Sequence, residues 1–201
     1  MELRLKDIET PFFKIKNLQI SAGERVLIKG QSGTGKTTLL HLLAGLYNPQ
    51  AGDVLWAGAP IAGLRENEIS HRRQHTMSLV FQNLNLLPYL TAIENLELVG
   101  LNSAVSKEML KLVGLASKSS LRTQSLSLGE QQRIAVARAL GQSPSVILAD
   151  EPTSSLDDHN SEQVMKLLMG QQASPSIIMV SHDHRVEKYF TRILDMKEIT
   201  A

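Results

Sequence analysis

The sequence predicts an α/β fold: a mainly parallel sheet with helices, opened by an antiparallel β hairpin and interrupted by a short α-helical insertion. Three observations predict it. "SVILAD" and "SIIMVSH" are short, apolar, β-branched runs of the kind buried on both faces of a parallel sheet. "MELRLKDIE" and "FKIKNLQI" alternate with period two, as half-buried strands do. From about Asn83 to Leu121, helix-period segments follow one another with no strand between them.

Taken in order, the two alternating runs are joined by Thr10-Pro11, a turn signal, and so form a hairpin. "AGE" at Ala22 to Glu24 is a second turn. "RVLIKG" is then a short buried strand, followed by a Gly-rich loop and an apolar helix, "KTTLLHLLAGL". Gly52-Asp53 turns the chain into "VLWAG", and "MSLVFQ" is the next buried strand. "HRRQH" at His71 to His75 reads as the solvated face of a helix. "LPYLTAIENLEL" and "SKEMLKLVGL" read as short helices of a subdomain. The expectation is one domain, with an α/β core of residues 1–82 and 145–201 and a helical part over about 83–144.

Composition bounds the function. A chain of 201 residues is long enough for one domain with a sizeable core, and with 4% aromatics that core is aliphatic. A net charge of +1 gives no case for nucleic acid or an anionic membrane surface as partner. The absence of cysteine excludes disulfides, thiolate metal sites and a Cys nucleophile, and fits a reducing compartment. The start "MELRLKDIE" lacks the apolar run of a signal peptide, and no apolar stretch approaches the ~20 residues needed to span a bilayer. Any membrane part is expected on another chain.

"GQSGTGKT", Gly30 to Thr37, fits the phosphate-loop pattern G-x-x-x-x-G-K-[ST] in full. It follows a predicted strand and opens a predicted helix, as the chemistry requires. Gly30, Gly33 and Gly35 permit backbone conformations closed to other residues, so that successive N–H groups of Gln31, Ser32 and Thr34 can point at phosphate oxygens. The helix from Lys36 through Thr38 adds its positive end. Lys36 brings a charge to the outer phosphates, and the Thr37 hydroxyl suits Mg²⁺, a hard cation that prefers oxygen. A nucleoside triphosphate is therefore the expected ligand, and the α/β core a P-loop NTPase core.

"VILADEPT" puts Asp150 and Glu151 at the end of an apolar strand. In an open α/β sheet, ligands sit beyond the carboxyl ends of the strands, where the phosphate loop also begins. Asp150 is placed to reach the Mg²⁺ shell and Glu151 to orient and deprotonate an attacking water.

Together these residues resemble the ATP-binding subunit of ABC transporters over nearly the whole chain. The resemblance rests on six motifs in order: "GQSGTGKT", "VFQN" with Gln82, "LSLGEQQR", "VILADEPT", "SSLD" with Asp157, and "VSHD" with His182. It implies ATP and Mg²⁺ as cofactors. It implies that Gln82 contacts Mg²⁺ and the attacking water, and that His182 bonds the γ-phosphate. It implies that Asp157 couples two sites across a dimer. Alone, Gln82 reads as a polar residue leaving a strand, His182 as a surface histidine at a strand end, and Asp157 as a helix N-cap. An aromatic residue that stacks on adenine is usual in the family. Phe12 falls at that place in a hairpin shorter than usual. Phe12 and the adjacent Phe13 point to opposite faces of a strand, so one belongs to the core and the other can meet adenine, with Phe12 favoured for adenine.

The family works as a head-to-tail dimer, a homodimer or a pairing with a second ATPase chain, each nucleotide lying between the phosphate loop of one subunit and the signature of the other. Here the signature is Ser127, Leu128, Gly129 and Glu130. Locally it is a capping box, Ser at N-cap and Glu at N3. Most of the family has Gly where this chain has Leu128. The implied partner is an integral-membrane permease, and the implied location is cytoplasmic, on the inner face of the cell membrane. The chain looks most like the lipoprotein-release, macrolide-export and cell-division group, though it is shorter between "IENL" and "LVGL". An ATPase that regulates a membrane-anchored cell-envelope machine is the alternative. A soluble P-loop enzyme such as a small-molecule kinase is disfavoured by the signature, Gln82 and His182.

Overall fold

Period-two patterning at the N-terminus produces an antiparallel pair, β1 (Leu3–Glu9) and β2 (Lys14–Ile20), in the computed structural model, which describes residues 1–170 and 175–200. Leu3 and Leu5 face the core, but the next core residue of β1 is Ile8. A register shift against β4 (Ala51–Trp56) absorbs the extra residue, and Asp7 takes a φ of 50° there. This is a β-bulge. It corrects the turn expected at Gly52-Asp53: both residues lie within β4. Gly52 stands against the bulge, where a Cβ would sit 2.2 Å from the Asp7 carbonyl oxygen. The two-residue β5 (Ala59–Pro60) completes a sheet of order β2-β1-β4-β5.

The second sheet has the order β6-β7-β8-β3-β9. Four of its strands are the expected apolar runs: β3 (Arg25–Lys29), β6 (Met77–Val80), β7 (Val146–Asp150) and β8 (Ser176–Val180). Every residue of β7 and β8 is buried. β8 pairs in parallel with both β7 and β3, so the carboxyl ends of all three strands share one edge. The edge strand β9 (Arg192–Asp195) has no buried residue, which explains why "RILD" carries no strand signal in the sequence. Helix α1 (Lys36–Leu43) packs on β7 and β8. Helix α2 (Glu66–Thr76) carries the "HRRQH" run with His71, Arg72, Gln74 and His75 exposed, as expected. A single turn, α7 (Met196–Ile199), ends the described chain.

Packing groups the described residues into two compact units. One holds Met1–Leu79, Pro144–Glu151 and the described part of Ser174–Ala201. The other holds Val80–Ser143 and the described part of Pro152–Ala173. The second unit contains α3 (Ala92–Glu97), α4 (Ser103–Leu112), α5 (Leu128–Gly141) and α6 (Asp158–Met169). Leu96, Leu110, Leu126 and Ile134 lie in its core. Side chains close all four helix starts: Thr91 with Glu94, Asn102, Ser127 with Glu130, and Asp157. Helix α6, expected within the α/β core, groups with the second unit and packs against α5.

Candidate active site

The first unit builds its site at the shared strand edge. After β3 the chain enters the loop of Gly30 to Thr37, where Gly33 and Gly35 take φ of 81° and 90°. Gly35 is also the N-cap of α1, which has no side-chain cap and no acidic residue in its first turn. The first N–H groups of α1 thus keep their positive end for an anion. Gln31 and Ser32 are exposed, and the Thr34 hydroxyl donates to the Gln31 carbonyl at 2.8 Å. Lys36, only 8% exposed, donates to the carbonyls of Gly30 at 2.8 Å and Gln31 at 3.1 Å. Thr38 is half-buried in the first turn of α1.

Asp150 closes β7, and its Oδ2 accepts from the Thr37 hydroxyl at 2.8 Å. Burial pushes the Asp150 carboxyl up, the Thr37 hydrogen bond opposes that, and the neighbouring Glu151 charge adds to it. Glu151 breaks the strand with a φ of 47°, a strained value for a residue with a side chain. Its N–H donates to the Val180 carbonyl at 3.0 Å, which fixes the bend. The carboxylate turns to the residues after β8: Ser181 Oγ donates to Oε2 at 3.0 Å, and His182 Nδ1 lies 2.8 Å from Oε1. Lys36 Nζ lies 3.8 Å from Oε1. The His182 ring is two-thirds exposed (67%) while Glu151 is buried. Five predicted residues, Lys36, Thr37, Asp150, Glu151 and His182, thus come together in one unit. Ser181 was missed. A buried serine before a histidine has no distinguishing sequence signal.

Phe12 and Phe13 separate as expected: Phe12 is 63% exposed, and Phe13 is 7% exposed in the core. The cause is a turn, not a strand, which corrects the expected geometry. The Thr10 hydroxyl accepts from the N–H groups of Phe12 and Phe13 and donates to the Phe13 carbonyl. The Phe13 ring lies against Gly35, where a Cβ would be 2.6 Å from it. The hairpin tip therefore sits beside the phosphate loop, with Phe12 presenting its ring outward.

The second unit holds the remaining predicted residues. Ser127 and Glu130 form the expected capping box, Glu130 N–H to Ser127 Oγ at 3.3 Å and Ser127 N–H to Glu130 Oε2 at 3.0 Å. Lys118 pairs with Glu130 and, with the capping bonds, holds its carboxyl below the usual range despite the cost of burial. Leu128 is 47% exposed as the first residue of α5. Gly129 has no room for a side chain: a Cβ would sit 2.5 Å from Asn160 Oδ1. Asn160 donates from its N–H and its amide to the two oxygens of Asp157, and accepts from Arg133 of α5 at 2.8 Å. These bonds lower the Asp157 carboxyl. The bland expectation, that Asp157 caps a helix, is met. Asn160 and Arg133, missed in the sequence, tie that cap to the signature helix. Gln82 is exposed on the turn after β6.

The residues fit Mg²⁺. Thr37 and Asp150 supply two adjacent oxygen donors, and the described residues hold no cluster of three His, Cys, Asp or Glu. That is the sparse donor set of a cation bound mainly through phosphates and water.

Residues 13–154 match the family described as ABC transporter. The lipoprotein-releasing system ATP-binding protein LolD of Syntrophotalea carbinolica is 40% identical over 192 residues, covering 90% of this chain and 85% of that protein. The macrolide export ATP-binding/permease protein MacB of Pasteurella multocida is 38% identical over 201 residues, 96% of this chain but 31% of that protein. The chain thus spans about a third of that relative's length. The dimeric structure of a post-hydrolysis state of the ATP-binding cassette MJ0796, bound to ADP and Pi, has a TM-score of 0.84 at 33% identity, covering 96% of this chain and 93% of that one.

Proposed function

This chain belongs to the ABC transporter family as an ATP-binding cassette, and we propose that it dimerises around two ATP molecules and hydrolyses them to drive a separate integral-membrane permease. The observation that carries the proposal is Glu151: a buried carboxylate, turned out of β7 by a left-handed φ of 47° and held by Ser181 and His182 beside the phosphate loop. The loop N–H groups and Lys36 bind the phosphates. Phe12 offers adenine a face. Glu151 accepts the proton of the attacking water, and His182, tied to Glu151, bonds the γ-phosphate. Thr37 and Asp150 would hold Mg²⁺, and the family resemblance implies Gln82 as a further oxygen donor. When bound, Mg²⁺ neutralises charge developing on the phosphates.

Ser127, Gly129 and the N-terminus of α5 act on the partner subunit's ATP, and Asp157 couples the two sites. Hydrolysis removes the contacts that favour the closed dimer, and its opening is the motion delivered to the permease. No described helix is long and apolar enough to cross a membrane. The family resemblance implies a place on the cytoplasmic face, held there by the permease. The test is Glu151→Gln. ATP turnover should fall about 10²- to 10⁴-fold, and an ATP-dependent dimer should persist on size-exclusion chromatography. Wild-type turnover in that variant removes Glu151 as the base.

A further inference from the structure

The turn after Gln82 breaks a backbone rule twice. Leu84 and Asn85 are consecutive residues with side chains at positive φ, 55° and 48°. Asparagine tolerates that region and leucine does not. Such a turn persists only where its surroundings impose it. Here the Leu84 N–H donates to the Phe81 carbonyl at 3.0 Å, and one side chain from another element grips the turn. Arg138, in the last turn of α5, donates from Nη1 to the Asn85 carbonyl and from Nη2 to the Leu84 carbonyl, both at 2.7 Å.

The geometry explains the pairing. In extended chain, successive carbonyls point to opposite sides. In a left-handed turn they point the same way, so the two ends of a planar guanidinium can take both. The fork therefore favours the turn over an extended path. Arg138 is compensated by these carbonyls and by the negative end of its own helix. Leu84 is buried and Asn85 is exposed, so the turn is pinned from within.

We propose that Arg138 is a positioning residue for Gln82, fixing the path of the chain two residues beyond it. The proposal rests on the reading that Gln82 acts on Mg²⁺ and the attacking water. Because α5 begins at the signature, one helix carries Ser127 at its start and the clamp on the Gln82 turn near its end, roughly 16 Å apart by helical rise. A displacement of the signature end reaches the Gln82 turn through that helix. Lysine keeps the charge and reach of Arg138 but cannot span both carbonyls.

The test compares Gln82→Ala, Arg138→Lys and Asn85→Val in the purified full chain. Valine resists a positive φ and leaves α5 untouched, so it probes the same turn from its exposed side. Arg138→Lys and Asn85→Val should each lower kcat roughly 10-fold with KM for ATP within about twofold, since misplacement affects turnover more than binding. Amide hydrogen exchange should quicken over residues 82–86. Gln82→Ala combined with Arg138→Lys should be no slower than Gln82→Ala alone, because both act through one group. Wild-type kcat in Gln82→Ala would overturn the role of Gln82 and the proposal with it. A slow Gln82→Ala beside wild-type kcat in Arg138→Lys and Asn85→Val would overturn the role of Arg138 alone. Multiplying losses in the double variant would likewise overturn it, by showing that Arg138 acts elsewhere.

Discussion

The site residues of the first unit sit where local rules are broken, and most of those in the second sit where the rules are kept. Around the phosphate loop, a lysine and two adjacent carboxylates are buried, α1 starts without a side-chain cap, and Glu151 is strained. Burial raises the Asp150 carboxyl, so its charged form calls for a cation. Around the signature, the capping box and the Asp157 cap are complete, and both Glu130 and Asp157 are held below the usual range by partners already present. The first unit is built to be completed by a charged ligand. The second offers finished helix starts, which suit a surface presented to another subunit's ligand. The Gln82 turn is the exception in the second unit, and there Arg138 supplies the constraint.

Substitutions in the two units should therefore fail differently. The largest effect is expected at Lys36→Ala. That substitution removes the buried cation that pairs with the phosphates, so affinity for a fluorescent ATP analogue should fall at least about 100-fold. Next is Gly129→Ala, whose methyl group meets Asn160. It should destabilise the fold by about 1–3 kcal/mol in urea, and Asn160→Ala in the same chain should recover most of that. An undiminished loss in the double variant would mean the glycine serves another purpose. The smallest is Leu128→Gly. If the exposed leucine crowds the partner's nucleotide by about 1 kcal/mol, ATPase activity with the membrane partner should rise roughly fivefold. An unchanged rate would show that Leu128 points away.

The same contrast decides what was legible in the sequence. The phosphate loop, Asp150 and Glu151 are readable because their chemistry demands particular residues at particular spacings. Ser127 and Glu130 are readable because a capping box spans four residues. Ser181, Asn160 and Arg138 are not, since each acts on a group distant in sequence or through backbone carbonyls that any residue supplies. Gly52 reads as a turn residue in the sequence because its partner, the bulge at Asp7, lies 45 residues earlier on another strand. β9 was missed because it buries no residue of its own.

The central claim is that the signature of one chain completes the site of another. Lys36→Ala disables the phosphate-loop side of a composite site, and Ser127→Arg the signature side. Each variant alone should be inactive as an ATPase. Mixed in equal amounts, they should recover roughly a quarter of wild-type activity, because half the dimers are mixed and each mixed dimer has one intact composite site. No recovery on mixing, with mixed dimers shown to form, would contradict the account.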